Sequence, residues 1–209
     1  ENLEESPRHD ATVKALSSLL ARDGRHTELV TLLARQATLA EEAGERAVSA
    51  SLHAQAATVA ETKLGDVPSA ITHLKRVVEL ESRPDALDAL ARLSTAAHDH
   101  NAAALYLDRL REMADGPARA TITLRLADAL IAAGKKGAAQ HRLESEVDRD
   151  PEADHVRMRL AEIYRSAESW PLLAKLLTEG AMHAPDKATH LDRLREAADL
   201  HRNRTGEPE

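Results

Sequence analysis

The sequence predicts an all-α fold built from repeated helix pairs, and two observations carry that prediction. The first is composition: 40 of the 209 residues are Ala and 30 are Leu, whereas Val and Ile together supply 13 and Phe is absent. Ala and Leu are strong helix formers, while β-sheets are usually built from branched and aromatic residues. The second is a turn-and-anchor pattern that recurs along the chain at the spacing of a helical repeat.

Each repeated unit contains a turn, followed by a small or apolar anchor residue and further apolar residues at helical spacing. The clearest turns are Leu64-Gly65-Asp66 and Ala133-Gly134-Lys135, and weaker ones begin at Asp23, His98 and Ser166. The anchors that follow these turns are spaced 41, 33, 36 and 34 residues apart, and they are Leu29, Ala70, Ala103, Ala139 and Leu173. Internal repeats of about 20–50 residues indicate stacked supersecondary units, so five units in phase predict a solenoid.

A second apolar pattern lies upstream of most turns, so each unit contains two helices. It reads Leu16-Ser17-x-x-Leu20, Leu90-Ala91-x-x-Ser94, Leu126-Ala127-x-x-Leu130 and Leu160-Ala161-x-x-Tyr164. Proline cannot continue a helix, and it separates the helical runs at Pro84, Pro117, Pro151 and Pro185. The pattern predicts eleven helices, in five pairs with one last helix. Asp66 and Ser169, each two residues before a proline, are predicted to cap helix N-termini.

The last predicted helix, from about Asp186 to Asn203, has one apolar stripe and one polar side. The stripe contains Leu191, Leu194, Ala198 and His201. The polar side contains Arg193, Arg195, Glu196, Asp199 and Arg202. Because the terminal unit of a solenoid needs a polar outer face, this helix is predicted to be a cap.

From about Thr12 to Pro185 the chain resembles the tetratricopeptide repeat (TPR) family, whose unit is about 34 residues of helix-turn-helix. The aromatic positions of the family are mostly Leu or Ala here, so the repeats are degenerate. The resemblance implies a right-handed superhelical solenoid of about five TPR-like repeats plus a C-terminal capping helix. The richness in Ala and Arg resembles proteins of bacteria with GC-rich genomes.

The domain prediction is one α-solenoid over residues 8–204, between flexible tails at 1–7 and 205–209. Its units are predicted at about 10–44, 46–83, 84–116, 117–151 and 152–185, followed by the cap at 186–203. A start at Glu1 rather than Met suggests a fragment or a processed product.

Charge and composition exclude several classes of function. The net charge is −7, opposite to what a phosphate backbone or an anionic membrane attracts, and three aromatic residues give little platform for stacking bases. There is no Cys and no apolar run long enough to cross a bilayer. The expectation is a soluble protein with no nucleic-acid partner and no direct membrane insertion, in the cytoplasm rather than the periplasm.

No sequence motif predicts catalysis. The chain has no Gly-rich phosphate loop, no His-Glu-x-x-His and no Gly-x-Ser-x-Gly, so neither an enzyme nor a cofactor is predicted. His98-Asp99-His100 could meet a metal ion, but a third ligand is not evident, and a polar turn is favoured. The carboxylate pairs Glu41-Glu42 and Glu144 with Glu146 are interpreted as solvated faces.

A partner site is predicted from the repeat period. Arg125, Arg159 and Arg193 are spaced 34 residues apart, and an acid follows each of them three residues later. The TPR resemblance implies that the residue before the conserved Leu of the first helix faces a concave groove, which would align the three Arg. The neighbouring predicted groove residues are Lys63, Arg92, Leu124, Ile131, Met158 and Arg165. The alternative is that each Arg only pairs with its own acid along the helix. Trp170 is predicted to pack between repeats rather than to anchor a partner.

These observations predict a non-catalytic scaffold that binds a peptide or protein segment, acidic in character, in the concave groove. The alternative is a regulatory, docking or self-assembly segment of a larger multidomain signalling or secretion protein.

Overall fold

A computed structural model describes residues 10–205, and every regular element among them is helical. The helices are α1 Asp10–Arg22, α2 His26–Glu42, α3 Arg46–Val59, α4 Val67–Leu80, α5 Pro84–Ala96, α6 His100–Glu112, α7 Gly116–Ala132, α8 Lys136–Arg149, α9 Asp154–Ser166, α10 Trp170–Ala181 and α11 Lys187–Leu200. α3 and α11 continue as π-helical turns over Ala60–Leu64 and His201–Thr205. The all-α prediction is confirmed. The predicted tails lie outside the described residues, except for Thr205.

The described residues divide into two compact units at the turn between Asp99 and His100. The first unit contains α1–α5 and the second contains α6–α11. Consecutive helices within each unit pack against one another, as expected when a chain is built from local helix hairpins.

All five predicted turns contain a residue in the left-handed region of backbone conformation. Gly24, Gly65 and Gly134 supply it in three turns, with φ of 72°, 64° and 76°. His98 and Glu168 supply it in the two others, with φ of 58° and 52°. A side chain in this region is strained, which explains why glycine occupies this position in both of the clearest turns and why the turns at His98 and Glu168 are weaker in sequence.

The two predicted N-caps differ in the structure. The Oδ1 of Asp66 accepts a hydrogen bond of 3.0 Å from the backbone N–H of Ser69, so the cap of α4 is confirmed. Ser169 immediately precedes α10 but its side chain makes no capping hydrogen bond, so that detail is wrong. Asp186 caps α11 through the N–H of Thr189 at 2.8 Å.

The five predicted anchor residues are buried, and small and large side chains have different roles among them. Ala70, Ala103 and Ala139 are completely buried where neighbouring helices approach. Leu29 and Leu173 fill the space around such crossings, and each fully buried Leu contributes about 1.5–3 kcal/mol.

We expect Ala139→Leu to lower the free energy of unfolding by about 1–3 kcal/mol, because the larger side chain overpacks a filled helix crossing. Urea unfolding measures the loss, and Ala138→Leu, on the exposed face of the same α8, is the matched control. Limited proteolysis should show new cleavage mainly near α7 and α8, since stability in helical repeats depends on neighbouring units. Equal cleavage along the whole chain would contradict this local coupling.

A buried ion cluster joins α6, α7 and α8. Glu146 of α8 is only 2% exposed, and its Oε2 accepts from Arg119 Nε of α7 at 3.0 Å. The Nη1 of Arg111 on α6 lies 3.9 Å from the same oxygen, and Thr123 Oγ1 lies 3.2 Å from it. Arg119 also donates to the backbone oxygen of Arg111 at 2.7 Å. The interpretation of Glu146 as part of a solvated face is therefore wrong.

A second buried cluster surrounds Gly180, near the end of α10. Arg157 and Arg193 are both buried, and both guanidinium groups approach the carboxylate of Asp154. Arg193 Nη1 donates to the Gly180 oxygen at 2.7 Å, and Arg157 Nη2 donates to the Pro151 oxygen at 2.6 Å. The Nε and Nη1 atoms of Arg157 have no hydrogen-bond partner. Burial, and then the charge of Arg193, lower the pKa of Arg157.

The orientation of α11 differs from the prediction. Arg193, assigned to the polar outer side, points inward, whereas Leu191 and Leu194 of the predicted apolar stripe are 38% and 37% exposed. The cause is the end of α10, where the Gly180 carbonyl needs a donor and a cation is favoured by the helix dipole. The guanidinium of Arg193 meets both needs.

Candidate functional site

A concave surface of the first unit is formed by α1 and α3, with α2 beneath them. It consists of two adjoining clefts of about 630 Å³ and 590 Å³. Both clefts are lined by Ser17, Ser18, Leu33, Ser51 and Gln55, so we treat them as one surface, the first-helix cleft. The first part also contains Lys14, Val48 and Leu52, and the second contains Leu29, Thr58, Arg83 and Asp85.

The first-helix cleft combines an apolar floor with polar walls. Leu29 and Leu33 are buried in its floor, whereas Ser51 and Gln55 are exposed one turn apart on α3. Hydroxyl and amide groups both donate and accept hydrogen bonds, so they can pair with the backbone of an extended segment. The cleft can therefore hold a peptide backbone along α3 and its apolar side chains against α2.

One end of this surface carries a lysine, and the other end carries an Arg–Asp ion pair. Lys14 is exposed on α1 in the first part. In the second part, Arg83 donates to Asp85 at 3.1 Å, and this guanidinium lowers the pKa of the Asp85 carboxyl. Arg83 is thus already neutralised, whereas Lys14 can offer its ammonium group to a carboxylate.

The predicted Arg row is not formed as expected. Arg125 is exposed on α7, and Arg159 is partly exposed on α9. Arg159 donates to Asp128 at 2.6 Å and to Glu162 at 2.7 Å, the second of which is the local pair that the alternative interpretation predicted. Arg193 is 8% exposed and is held by Asp154 and Gly180, so it cannot contact a partner in a groove.

The other predicted partner residues are divided between the two units. Lys63 is exposed at the end of α3, and Arg92 of α5 pairs with Glu61 at 2.7 Å. In the second unit, Leu124 and Ile131 of α7 are half-buried and Met158 of α9 is 60% exposed. Arg165 of α9 pairs with Glu196 of α11 at 2.7 Å.

Three of these ion pairs join residues 31 positions apart on the first helices of successive pairs. They are Glu61 with Arg92, Asp128 with Arg159, and Arg165 with Glu196. Glu61 raises the pKa of Arg92, and Glu162, with a further contribution from Asp128, raises the pKa of Arg159. Of the three Arg spaced 34 residues apart, Arg159 makes such a contact between first helices, and Arg193 is held by Asp154 and Gly180.

A polar cluster on the other side of α3 contains an unusual histidine contact. Glu41 of α2 is bound by Arg76 of α4, with a second contact at 3.0 Å, and by Ser49 at 3.1 Å. Arg76 lowers the pKa of Glu41 to about 2. His53 and His73 face each other beside it. The interpretation of Glu41 as part of a solvated face is wrong.

Among the residues that the structure describes, no group of three His, Asp or Glu side chains could hold a metal ion. Trp170 is half-buried, and the guanidinium of Arg204 lies 5.2 Å from its ring centroid. No helix in residues 10–205 is sufficiently long and apolar to cross a membrane.

The fold is similar to solved TPR structures. The chain superposes on the TPR-like repeats of a kinesin light chain from Podosopora anserina with a TM-score of 0.51 and 19% identity, covering 88% of this chain and 96% of that chain. It is also similar to YrrB, described as a TPR protein with an unusual peptide-binding site, at a TM-score of 0.47 and 12% identity, covering 81% of this chain and 94% of that chain. For MamA the values are 0.47 and 12%, covering 95% of each chain. No protein-family model matches, and no curated protein matches in sequence. The predicted TPR-like fold is confirmed.

Proposed function

We propose that this protein is a non-catalytic interaction scaffold that binds a peptide or an extended protein segment in the first-helix cleft. The observation that carries the proposal is the cleft itself: a continuous concave surface with an apolar floor and exposed hydrogen-bonding side chains on α3. Ligand sites generally combine a mostly apolar lining with a few polar groups that fix orientation.

The chemistry of the cleft supports a segment with small or apolar side chains and one carboxylate. Ser51 and Gln55 supply hydrogen bonds to its backbone, and the surface between α1 and α2 accepts its side chains. Lys14 is placed to meet the carboxylate, since Arg83 is engaged by Asp85. The proposed partner therefore needs only one negative charge in the cleft, rather than a run of acidic residues.

A contact surface on α7 and α9 remains a second proposal, because it combines Leu124 and Met158 with Arg125, Arg159 and Arg165. An acidic segment there would replace Asp128 and Glu162 as partners of Arg159. Exchanging one exposed ion pair for another gains at most about 1 kcal/mol, so the first-helix cleft is favoured as the main site.

Blocking the cleft tests the proposal. Peptides selected from a random library by the wild-type protein should bind the Ser51→Arg, Gln55→Arg double variant at least about tenfold more weakly, because two long cations fill the groove. Fluorescence anisotropy measures the affinity. Thr31→Arg on the exposed face of α2, outside both parts of the cleft, is the matched control and should bind normally.

Equal affinity of the cleft variant and the control would contradict this site. Light scattering on the free protein distinguishes the scaffold from a self-assembling segment. A scaffold with an open cleft should remain monomeric as its concentration rises. Concentration-dependent oligomers that the cleft variant disrupts would favour self-assembly instead.

A further inference from the structure

The contact between His53 of α3 and His73 of α4 joins two imidazole rings head to head. Their Nδ1 atoms are 3.1 Å apart and their ring centroids are 5.3 Å apart, so the two nitrogens point at each other. His53 is only 8% exposed, and the pair borders a cavity of about 470 Å³ that water can enter. A hydrogen bond at this distance requires one proton between the two nitrogens.

Glu41 decides which ring carries that proton. The Nε2 of His53 lies 3.4 Å from Oε1 of Glu41, and an ionised carboxylate only accepts hydrogen bonds. Because the pKa of Glu41 is about 2, this carboxylate is ionised at any pH near neutrality. The Nε2 of neutral His53 therefore carries hydrogen, its Nδ1 accepts, and the Nδ1–H of His73 donates.

Burial disfavours additional protons on the pair, and the charged groups around it act in opposite directions. Glu41 faces it from α2, and Lys75, Arg76 and Glu79 face the cavity from α4. Both carboxylates are bound to Arg76. Burial has the largest effect on His53 and lowers its pKa. Glu41 opposes this shift, and Arg76 lowers the pKa by a smaller amount. Burial also lowers the pKa of His73.

Acidification affects the contact in two stages. A first proton can bind the outer nitrogen of His73, which leaves the hydrogen bond between the rings intact. A second proton, on Nδ1 of His53, makes both facing nitrogens donors, so two N–H groups oppose each other. It also places the positive charge of His53 beside that of Arg76. The bond must then break and the rings must separate, as expected for a coupled pair of titrating groups.

We propose that His53, His73 and Glu41 form a pH-sensitive latch, the histidine latch, that holds α4 against α3 at neutral pH and releases it under mild acid. The latch joins three consecutive helices of the first unit, since Glu41 lies on α2. Ser51 and Gln55, two residues away from His53 on either side, lie on the opposite side of α3. Release of the latch loosens the packing of the helix that carries them.

The direction of the pH effect follows from the proton balance. The folded latch binds fewer protons than the unfolded chain, in which a His titrates near about pH 6.5. Its contribution to stability is therefore complete above about pH 6.5 and decreases as the pH falls below that value. Glu41 does not titrate in this range, so the change belongs to the histidines.

Hydrogen exchange and NMR of the wild-type protein, in the presence of EDTA, test the latch without any ligand. Corrected for intrinsic exchange rates, the amide protons of α4 should exchange several-fold faster at pH 5 than at pH 7.5, because the opened form binds more protons than the latch. Nitrogen-15 spectra should show neutral His53 with its proton on Nε2, and both rings should titrate below about pH 6.5. Titration of His53 at or above that value, or pH-independent exchange in α4, would overturn the proposal.

Two variants check that the response comes from this pair. The amide of His73→Asn can still donate to His53 but cannot titrate, and His53→Gln retains an N–H group for Glu41. Either substitution should remove most of the pH dependence of exchange in α4. His141→Asn, at an exposed position of α8 in the other unit, should retain all of it. A full response in both latch variants would show that other groups cause the change.

Discussion

Glu146→Gln should lower the free energy of unfolding by about 3–5 kcal/mol, because it leaves the buried Arg111 and Arg119 without their shared negative charge. The substitution keeps the shape of the side chain, so no cavity contributes. Arg119 Nε would lose its carboxylate partner at 3.0 Å inside the junction of α6, α7 and α8. Urea unfolding followed by circular dichroism measures the effect.

Glu152→Gln provides the control, since Glu152 is exposed in the turn before α9. It should change stability by less than about 0.5 kcal/mol. A loss for Glu146→Gln no larger than that of the control would show that the cluster is solvated and that its charges contribute little.

Gly180→Ala should lower the free energy of unfolding by about 1–3 kcal/mol, although Ala is the better helix former. A Cβ on residue 180 would lie 2.4 Å from Cδ and 2.6 Å from Nε of Arg157. Arg157 cannot move away freely, because its side chain is buried and its Nη2 donates to the Pro151 oxygen. The clash also disturbs the carbonyl that accepts from Arg193.

A double-mutant cycle separates this clash from a general effect on α10. In an Arg157→Ala background the new methyl group has space, so Gly180→Ala should become neutral or stabilising by up to about 1 kcal/mol. The same loss in both backgrounds would contradict a specific contact between the two residues.

The sequence predicts the helix pairs well because their signals are local. Turn residues such as Gly65 and Gly134 adopt the left-handed backbone that their position requires. Anchors such as Ala70 and Ala139 follow their turns by four or five residues, and both are completely buried. Where a side chain must occupy the strained turn position, as at His98 and Glu168, the sequence signal weakens although the structure is the same.

Contacts between repeats are harder to predict, because they depend on the offset between stacked helices. The period of 34 residues draws attention to Arg125, Arg159 and Arg193, but the observed pairs between first helices are 31 residues apart, one helical turn less. A local rule such as the spacing of three residues identifies Arg159 with Glu162, yet it misses Asp128 on the neighbouring helix.

The first-helix cleft is not apparent from the sequence, because its polar side chains are individually ordinary. Ser51 and Gln55 are four residues apart and exposed on α3, a pattern shared by many solvated helices. Only the position of α1 across from them makes a concave surface. Similarly, nothing in the chain indicates that His53 and His73, 20 residues apart, would meet between α3 and α4.

The most direct test of the scaffold proposal is hydrogen–deuterium exchange of the full chain with and without a peptide selected by the wild-type protein. The proposal predicts slower exchange in α1 and α3 on peptide binding, with α8 and α10 of the second unit unchanged. Protection confined to α7 and α9, or a bound peptide that protects no part of α1 and α3, would contradict the assignment of the first-helix cleft as the binding site.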